Sequence, residues 1–418
     1  MSATPVSDSL RPLSKVAKVL LGQSPDSRTY NETGKGWPFL QGNAEFGERV
    51  PTHRLYCTAP NRLCEAGDVL LSVRAPVGAT NQADRNYAIG RGLAAIRFVR
   101  EDQAYGWHAL RHAVPQLDLL AQGSTFTAVS RKEIEELLIW FPDGEERQAI
   151  AGVLDTLERA IEQTKALLAK QQRIKTGLMH DLLTRGLDAQ GRLRDPSTHT
   201  FKPSPLGPIP SEWTTVNIED LCDDIVDCPH STPRYESGGV PCIRTADMVP
   251  GKLLLKNVYR VSSSTYQERI SRLVPRKGDI IYSREGERLG IASPVGDELV
   301  CLGQRVMLLR PKADTDSTFL TWAMNSPSFY NRMVLGQIAT TSPHINVRDI
   351  KKALVVRPDP PEQLLIGEAL AADDSEKAML EDCLEKLRRL KGGLMHDLLT
   401  GLAPVAQLLA NPEASISS

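Results

Sequence analysis

The sequence predicts an α+β protein: two pseudo-symmetric mixed α/β domains, each followed by a long helix, with the two helices packed on each other as a coiled coil. Three observations carry this. The octapeptide Gly177-Leu-Met-His-Asp-Leu-Leu-Thr184 recurs, residue for residue, as Gly393-Leu-Met-His-Asp-Leu-Leu-Thr400. The offset between the copies holds far upstream, where Ile134 answers Ile350 and Pro142 answers Pro358, so a whole domain-plus-helix module is duplicated. Each octapeptide also closes a long stretch without internal proline whose leucines recur at heptad spacing. Two copies are too few for a solenoid, which needs about three stacked repeats to bury a continuous core.

Each element follows from local chemistry. Residues 1–142 form the first domain. It opens on a Gly-, Pro-, Asn- and Ser-rich stretch and continues with strand-like runs at Asp68–Val73, Leu93–Val99 and Leu137–Phe141, punctuated by turn residues. Trp107–Leu120 reads as a helix. Residues 143–185 are the first helical segment, starting after the Pro142-Asp-Gly turn with acids in its first turn, as the helix dipole prefers. Leu154, Leu157, Ile161, Leu168, Leu178 and Leu182 form its seam, and Thr164, Gln171 and Lys175 interrupt it. Residues 186–211, rich in Pro, Ser and Asp, read as an extended linker and not as core. Residues 212–358 are the second domain. Gly278–Arg284 answers Gly67–Arg74, Val306–Arg310 answers Ala95–Val99, and Phe319–Tyr330 answers the Trp107 helix. Residues 359–401 are the second helical segment, with a seam of Leu370, Leu380, Leu384, Leu387, Leu394 and Leu398, and residues 402–418 read as a flexible tail.

Bulk properties exclude several classes. The net charge of −1 argues against a non-specific basic nucleic-acid binder, although a sequence reader needs only local positive charge on its contact face. No apolar run approaches the ~20 residues of a membrane span. The seven cysteines are odd in number and lack any Cys-x-x-Cys pair, which speaks against a disulfide framework. With no signal-peptide pattern at Met1-Ser-Ala-Thr-Pro, the expected location is the cytoplasm.

No phosphate-cradling Gly-x-x-x-x-Gly-Lys run, nucleophile elbow or dinucleotide fingerprint is present. Asp359-Pro-Pro-Glu362 approaches the Asp-Pro-Pro-aromatic motif of amino-methyltransferases, but Glu362 stands where an aromatic must stack on the flipped base. Cys222, Cys228, His230 and Cys242 could be drawn as a zinc site, yet their spacing is irregular and free cysteines are commonly small buried hydrophobes; His53, Cys57 and Cys64 make a weaker set still. His180 and His396, inside the octapeptides, read as helix-end histidines more readily than as a catalytic pair. The expectation is no catalytic residue, no metal ligand and no cofactor in this chain. What remains is polar, loop-borne and duplicated. Ser72 and Arg74 sit at the end of a strand, and Ser283 and Arg284 at the matching end. Gln122, Ser124 and Thr125 match Gln337, Thr340 and Thr341, with His344 close by. These residue types read base edges and phosphates, although loops are polar for other reasons too.

The order domain, long helix, domain, long helix resembles the specificity subunit of Type I restriction–modification systems. Gly22-Gln-Ser-Pro25, Tyr30 and Gly36-Trp-Pro-Phe-Leu-Gln-Gly42 look like an amino-terminal target-recognition domain of that family. Asp227-Cys-Pro-His-Ser-Thr-Pro233, Pro241-Cys-Ile-Arg-Thr245 and Asp247 look like another version of it, and the octapeptides resemble the family's repeated conserved regions. The likeness spans residues 10 to 402. It implies that each target-recognition domain reads one half of a split, asymmetric site on double-stranded DNA, and it adds Gln41, Arg244 and Thr245 to the DNA-binding candidates. It implies helices that pair antiparallel and set the gap between the halves. It further implies docking of two methyltransferase subunits and of endonuclease/translocase subunits, with S-adenosylmethionine, ATP and Mg belonging to those partners. A self-contained base methyltransferase or restriction enzyme, and a coiled-coil adaptor that does not bind DNA, are the rival readings.

Overall fold

The computed structural model describes residues 9–117, 128–286, 288–334 and 344–405. The chain divides into two compact units. The first comprises residues 1–165 and 383–418, the second residues 166–382. Each unit therefore holds one globular domain and one half of each long helix.

In the first unit a four-stranded antiparallel sheet has the order Ala17–Leu21, Leu93–Phe98, Val69–Ser72, Thr80–Gln82. Val69, Leu71, Ala94 and Ile96 are fully buried, as expected of central strands covered on both faces. A helix at Gln103–Ala113 covers this sheet with Tyr105, Trp107 and Leu110. It starts four residues earlier than the sequence suggests, because a 3-10 turn at Arg100–Asp102 leads into it. A second sheet contains the parallel pair Trp37–Leu40 and Tyr87–Ile89. Leu10–Pro12 pairs with Leu138–Trp140, bringing the two ends of the domain together.

The second unit repeats this plan. Its four-stranded sheet has the order Cys222–Asp227, Val306–Pro311, Ile280–Ser283, Ala292–Pro294. Thr214–Asn217 pairs with Leu354–Arg357, and Val240–Ile243 runs parallel to Cys301–Leu302. The second sheets differ, with five strands in the first unit and three in the second. The same ion pair braces both domains: Asp68 takes Arg97 in two bonds of 2.8 Å, and Asp279 takes Arg310 at 2.9 and 2.8 Å. Each aspartate follows a left-handed glycine, Gly67 at φ 92° and Gly278 at φ 88°, a conformation glycine adopts without penalty.

The long helices span Gly144–Thr184 and Pro360–Leu399. In each unit their halves run antiparallel. Glu158 meets Lys391 in the first unit, where Ile150 and Leu154 cluster with Leu398. In the second, Gln171 meets Glu376 at 3.2 Å and Lys175 meets Asp374. The residues expected to spoil the seam are bonded within it. Gln171 also donates to Asp373 at 2.8 Å, the Lys175 ammonium lies 3.9 Å from the Trp322 ring centre, and the Thr164 hydroxyl donates to the Ala160 carbonyl.

The octapeptides are explained side chain by side chain. Met179, Leu182 and Leu183 pack with Trp213, Phe319 and Trp322 of the second domain, while Leu398 and Leu399 join the core of the first. Each copy thus packs on the domain other than the one its own helix directly follows. Thr184 and Thr400 each donate to the histidine carbonyl four residues back, at 2.7 and 2.6 Å. Those threonines, and not the exposed His180 and His396 rings, satisfy the terminal carbonyls. Behind them Gly186 and Gly401 turn left-handed, and a Cβ on either would collide with Trp213 or Trp140 respectively.

Residues 186–210 are not an extended connector. Leu187, Leu193 and Leu206 pack against the second unit's helical core, Phe201–Lys202 pairs with Ile209–Pro210, and Arg194 is buried against Glu362. The proline-rich composition concealed a small set of spaced apolar residues and one arginine whose partner lies far along the chain. The tail begins with order as well, since Val405 is buried in the first core.

Candidate nucleic-acid interface

The sheets end in loops that meet at one edge of each domain. In the first, the Val69–Ser72 strand runs into Val73, whose N–H donates to the Gly92 carbonyl at 3.0 Å. Gly92 in turn lies against the backbone of Gln41 and Gly42, directly after the Trp37–Leu40 strand. This brings Gln41, Arg74 and the Gly90-Arg-Gly92 turn together, with Gln41, Arg74 and Arg91 all exposed. In the second, Arg284 donates its N–H to the Arg305 carbonyl at 3.0 Å, and Gly303 lies against Ile243 and Arg244. The convergence is the same, built here from Arg244, Arg284 and Arg305. Arg305 holds φ at 66°, a left-handed conformation that costs a non-glycine residue roughly 1–2 kcal/mol.

These contacts fix the register between the copies. Ser72 answers Ser283, Val73 answers Arg284, and Arg74 answers Glu285; Arg74 and Glu285 both form an isolated bridge, to Ala128 and His344 respectively. The sequence pairing of Arg74 with Arg284 is therefore one residue out.

Three of the expected DNA-binding side chains are bonded inside the fold. Ser72 is 1% exposed, with its hydroxyl 2.9 Å from the carbonyls of both Arg74 and Pro76. Ser283 is fully buried, donates to the Arg288 carbonyl and accepts from the Ile291 N–H at 2.9 Å. Arg284 is 7% exposed and lies bidentate on Asp227 at 2.9 and 3.0 Å. All three hold the loops from beneath. Gln41, Arg74, Arg244, Thr245 and His344 remain on the surface or half-buried. Gln122, Ser124, Thr125, Gln337, Thr340 and Thr341 lie outside the described residues.

Arg244 is held from two sides. Its Nε and Nη2 donate to Asp247 at 3.0 and 3.1 Å, and its guanidinium carbon lies 3.7 Å from the Tyr259 ring centre. Burial works against its charge, but Asp247 outweighs that and holds the guanidinium above its ordinary pKa. Arg91, Arg305 and Tyr259 were not anticipated. In the sequence each turn shows only as one glycine among thirty, Gly90 and Gly303, and only the fold shows that these turns touch the strand ends.

The other chemistry-bearing candidates resolve into packing. Glu362 accepts from Trp213 Nε1 at 2.9 Å, from the Leu187 N–H at 2.7 Å and from both terminal nitrogens of Arg194. Cys222, Cys228 and Cys242 fall in three separate core clusters. Burial pushes the Cys222 thiol up to about 12, away from the thiolate a metal requires. His108, Asp155 and Glu158 stand close enough to share a cation, but Lys391, Arg111 and Arg49 already surround Glu158 with positive charge. No helix among the described residues is long and apolar enough to cross a membrane.

The family model for the Type I restriction modification DNA specificity domain matches residues 16–171 and 210–388. A Methanocaldococcus jannaschii protein described as a type I restriction enzyme MjaX specificity subunit is 39% identical over 172 residues, 41% of this chain and 40% of that protein. The MjaVIII specificity subunit of the same organism is 24% identical over 73% of this chain and 72% of its own length. In fold, the crystal structure of the S subunit of a Type-I restriction-modification system from M. genitalium superimposes with a TM-score of 0.60 at 15% identity, covering 93% of this chain and 95% of that one. With two matched domains arranged as the duplicated fold requires, this chain belongs to the family of type I restriction–modification DNA specificity subunits.

Proposed function

We propose that each globular domain reads one half of a two-part DNA site through the loop edge described above, and that the paired helices set the gap between the halves. The observation that carries this is the repeated convergence of exposed or half-buried polar and basic side chains, Gln41, Arg74 and Arg91 in one domain and Arg244 and Arg305 in the other, on identically ordered sheets. Arginine and glutamine pair bidentately with guanine and adenine edges in the major groove, and lysines and arginines around them neutralise phosphates. The two edges carry different residues, so the two half-sites differ. A net charge of −1 is compatible with this, because partner subunits add their own contacts to the duplex.

The chain recognises DNA and leaves the chemistry to other subunits. Two methyltransferase subunits, binding S-adenosylmethionine, dock on the helical segments, and endonuclease/translocase subunits using ATP and Mg join for cleavage. Leu167, Ile174 and Leu390 support the docking role, since they leave apolar surface exposed on otherwise charged helices. The test is methyl transfer from labelled S-adenosylmethionine to DNA. Transfer is expected only when the methyltransferase partner is added; transfer by the purified chain alone would overturn the reading.

A further inference from the structure

Gln41 and Arg244 occupy one structural position in the two domains. Each is the first residue after the strand that runs parallel to its neighbour, where Phe39–Leu40 pairs with Ala88–Ile89 and Cys242–Ile243 with Cys301–Leu302. The same backbone bond locks both strand ends: Gly90 donates to the Leu40 carbonyl at 2.8 Å and Gly303 to the Ile243 carbonyl at 2.7 Å. Both then enter a one-turn 3-10 helix whose last acid bonds back to the chain, Glu45 to the Gly42 N–H at 3.1 Å and Asp247 to the Arg244 N–H at 2.9 Å. The first domain spends one more residue, Gly42, before the turn. The backbone is therefore held alike while the side chain differs.

The side chains differ in the way that distinguishes base pairs. We propose that this position decides the identity of one base pair in each half-site, an A·T pair through Gln41 and a G·C pair through Arg244. Asp247 occupies the Nε–Nη2 edge of the Arg244 guanidinium, and Tyr259 covers a face. The Nη1–Nη2 edge keeps donors spaced to reach guanine O6 and N7 together. A head fixed in this way loses little rotamer freedom when it binds, so its discrimination against other bases is not spent on ordering the side chain. Gln41 is exposed, and its amide offers the donor and acceptor that match adenine N7 and N6. A purely structural Arg244 would need the Asp247 and Tyr259 contacts as well; it would not need to share a position with an exposed glutamine that makes none of them.

The inference rests on the two-domain reading above, and the experiment separates the two. Genomic DNA is mapped for methylated adenines in cells expressing the methyltransferase partner with the native chain, with Arg244→Gln or with Gln41→Arg. If the native chain yields no two-part motif that depends on it, the functional reading falls and the inference with it. Given such a motif, Arg244→Gln is expected to relax or change one G·C position in one half only, and Gln41→Arg one A·T position in the other half only. Preference for the original base should drop roughly tenfold to a hundredfold, the discrimination of one bidentate pair. The gap should not change. A native motif that survives intact in both variants overturns the proposal, as does a change in both halves at once. Should Arg244→Gln abolish methylation altogether through loss of the Asp247 pair, the exposed Gln41→Arg variant decides alone: its half-site must change at one base pair, or the position does not read bases.

Discussion

A buried polar side chain and an exposed one can carry the same sequence signature, and the loop edges contain both. Arg74 is exposed at the strand end, whereas Arg284, one register step away, is bonded to Asp227 beneath the surface. The two should respond differently to alanine. Arg74→Ala is expected to weaken binding of the assembled complex by about 1–3 kcal/mol at one half-site, the worth of a base contact. Titration against duplexes altered in one half or the other would show this; equal loss on every duplex would indicate a phosphate contact. Arg284→Ala leaves Asp227 with only the Cys228 N–H and the exposed His230 ring as partners, and should instead lower the unfolding free energy by roughly 3 kcal/mol, read by urea denaturation. Glu158 gives a pH prediction. Burial raises its pKa, but the Lys391 bond, helped by the charges of His108 and Arg111, pulls it below the ordinary 4.5 to about 2. A folded pKa below the unfolded one stabilises the fold above about pH 4.5, and the stabilisation is lost as pH falls towards 2. The stability advantage of the native chain over Glu158→Gln should therefore shrink on acidification over that window, and a gap independent of pH would contradict the ion-pair account. Ser72 and Ser283 close strands, where the sequence places them. The sequence could not tell Ser72 from a free hydroxyl, because its partners are carbonyls of its own loop, a matter of turn geometry and not of residue type.

At the scale of elements, the repeat was legible because identical residues face identical demands. Each octapeptide must supply apolar residues to a domain, a threonine to its own last carbonyls and a helix end to a left-handed glycine against a tryptophan. The helices were legible from heptad spacing, which survives polar residues in the seam so long as partners such as Asp373 and Asp374 answer them. The segment after the first helix was not legible. Its composition suits a connector, yet Glu362, far along the chain, gathers Arg194, Trp213 and the Leu187 N–H into one buried network. Sequence proximity carries no information about such a pairing. Glu362→Ala should cost about 3–5 kcal/mol, since it strands a buried arginine. Trp213 fluorescence during denaturation would report it, and a loss below about 1 kcal/mol would mean the network is as weak as a surface pair.

At the scale of the whole molecule, the proposed function places the readers in the domains and the gap in the helices. Seven residues inserted into both helices at matched positions preserve the heptad seam and add about 10 Å of helix, or roughly three base pairs of duplex. The half-sites should stay as they were while the gap grows; altered half-sites with an unchanged gap would reverse the assignment. The central claim is tested most directly by mapping methylated adenines across the genome of cells that express the methyltransferase partner with and without this chain. The account predicts a single asymmetric two-part motif with a fixed gap that vanishes when the chain is withheld. An active methyltransferase whose methylation pattern is the same in both cells would contradict it and leave the chain a coiled-coil adaptor.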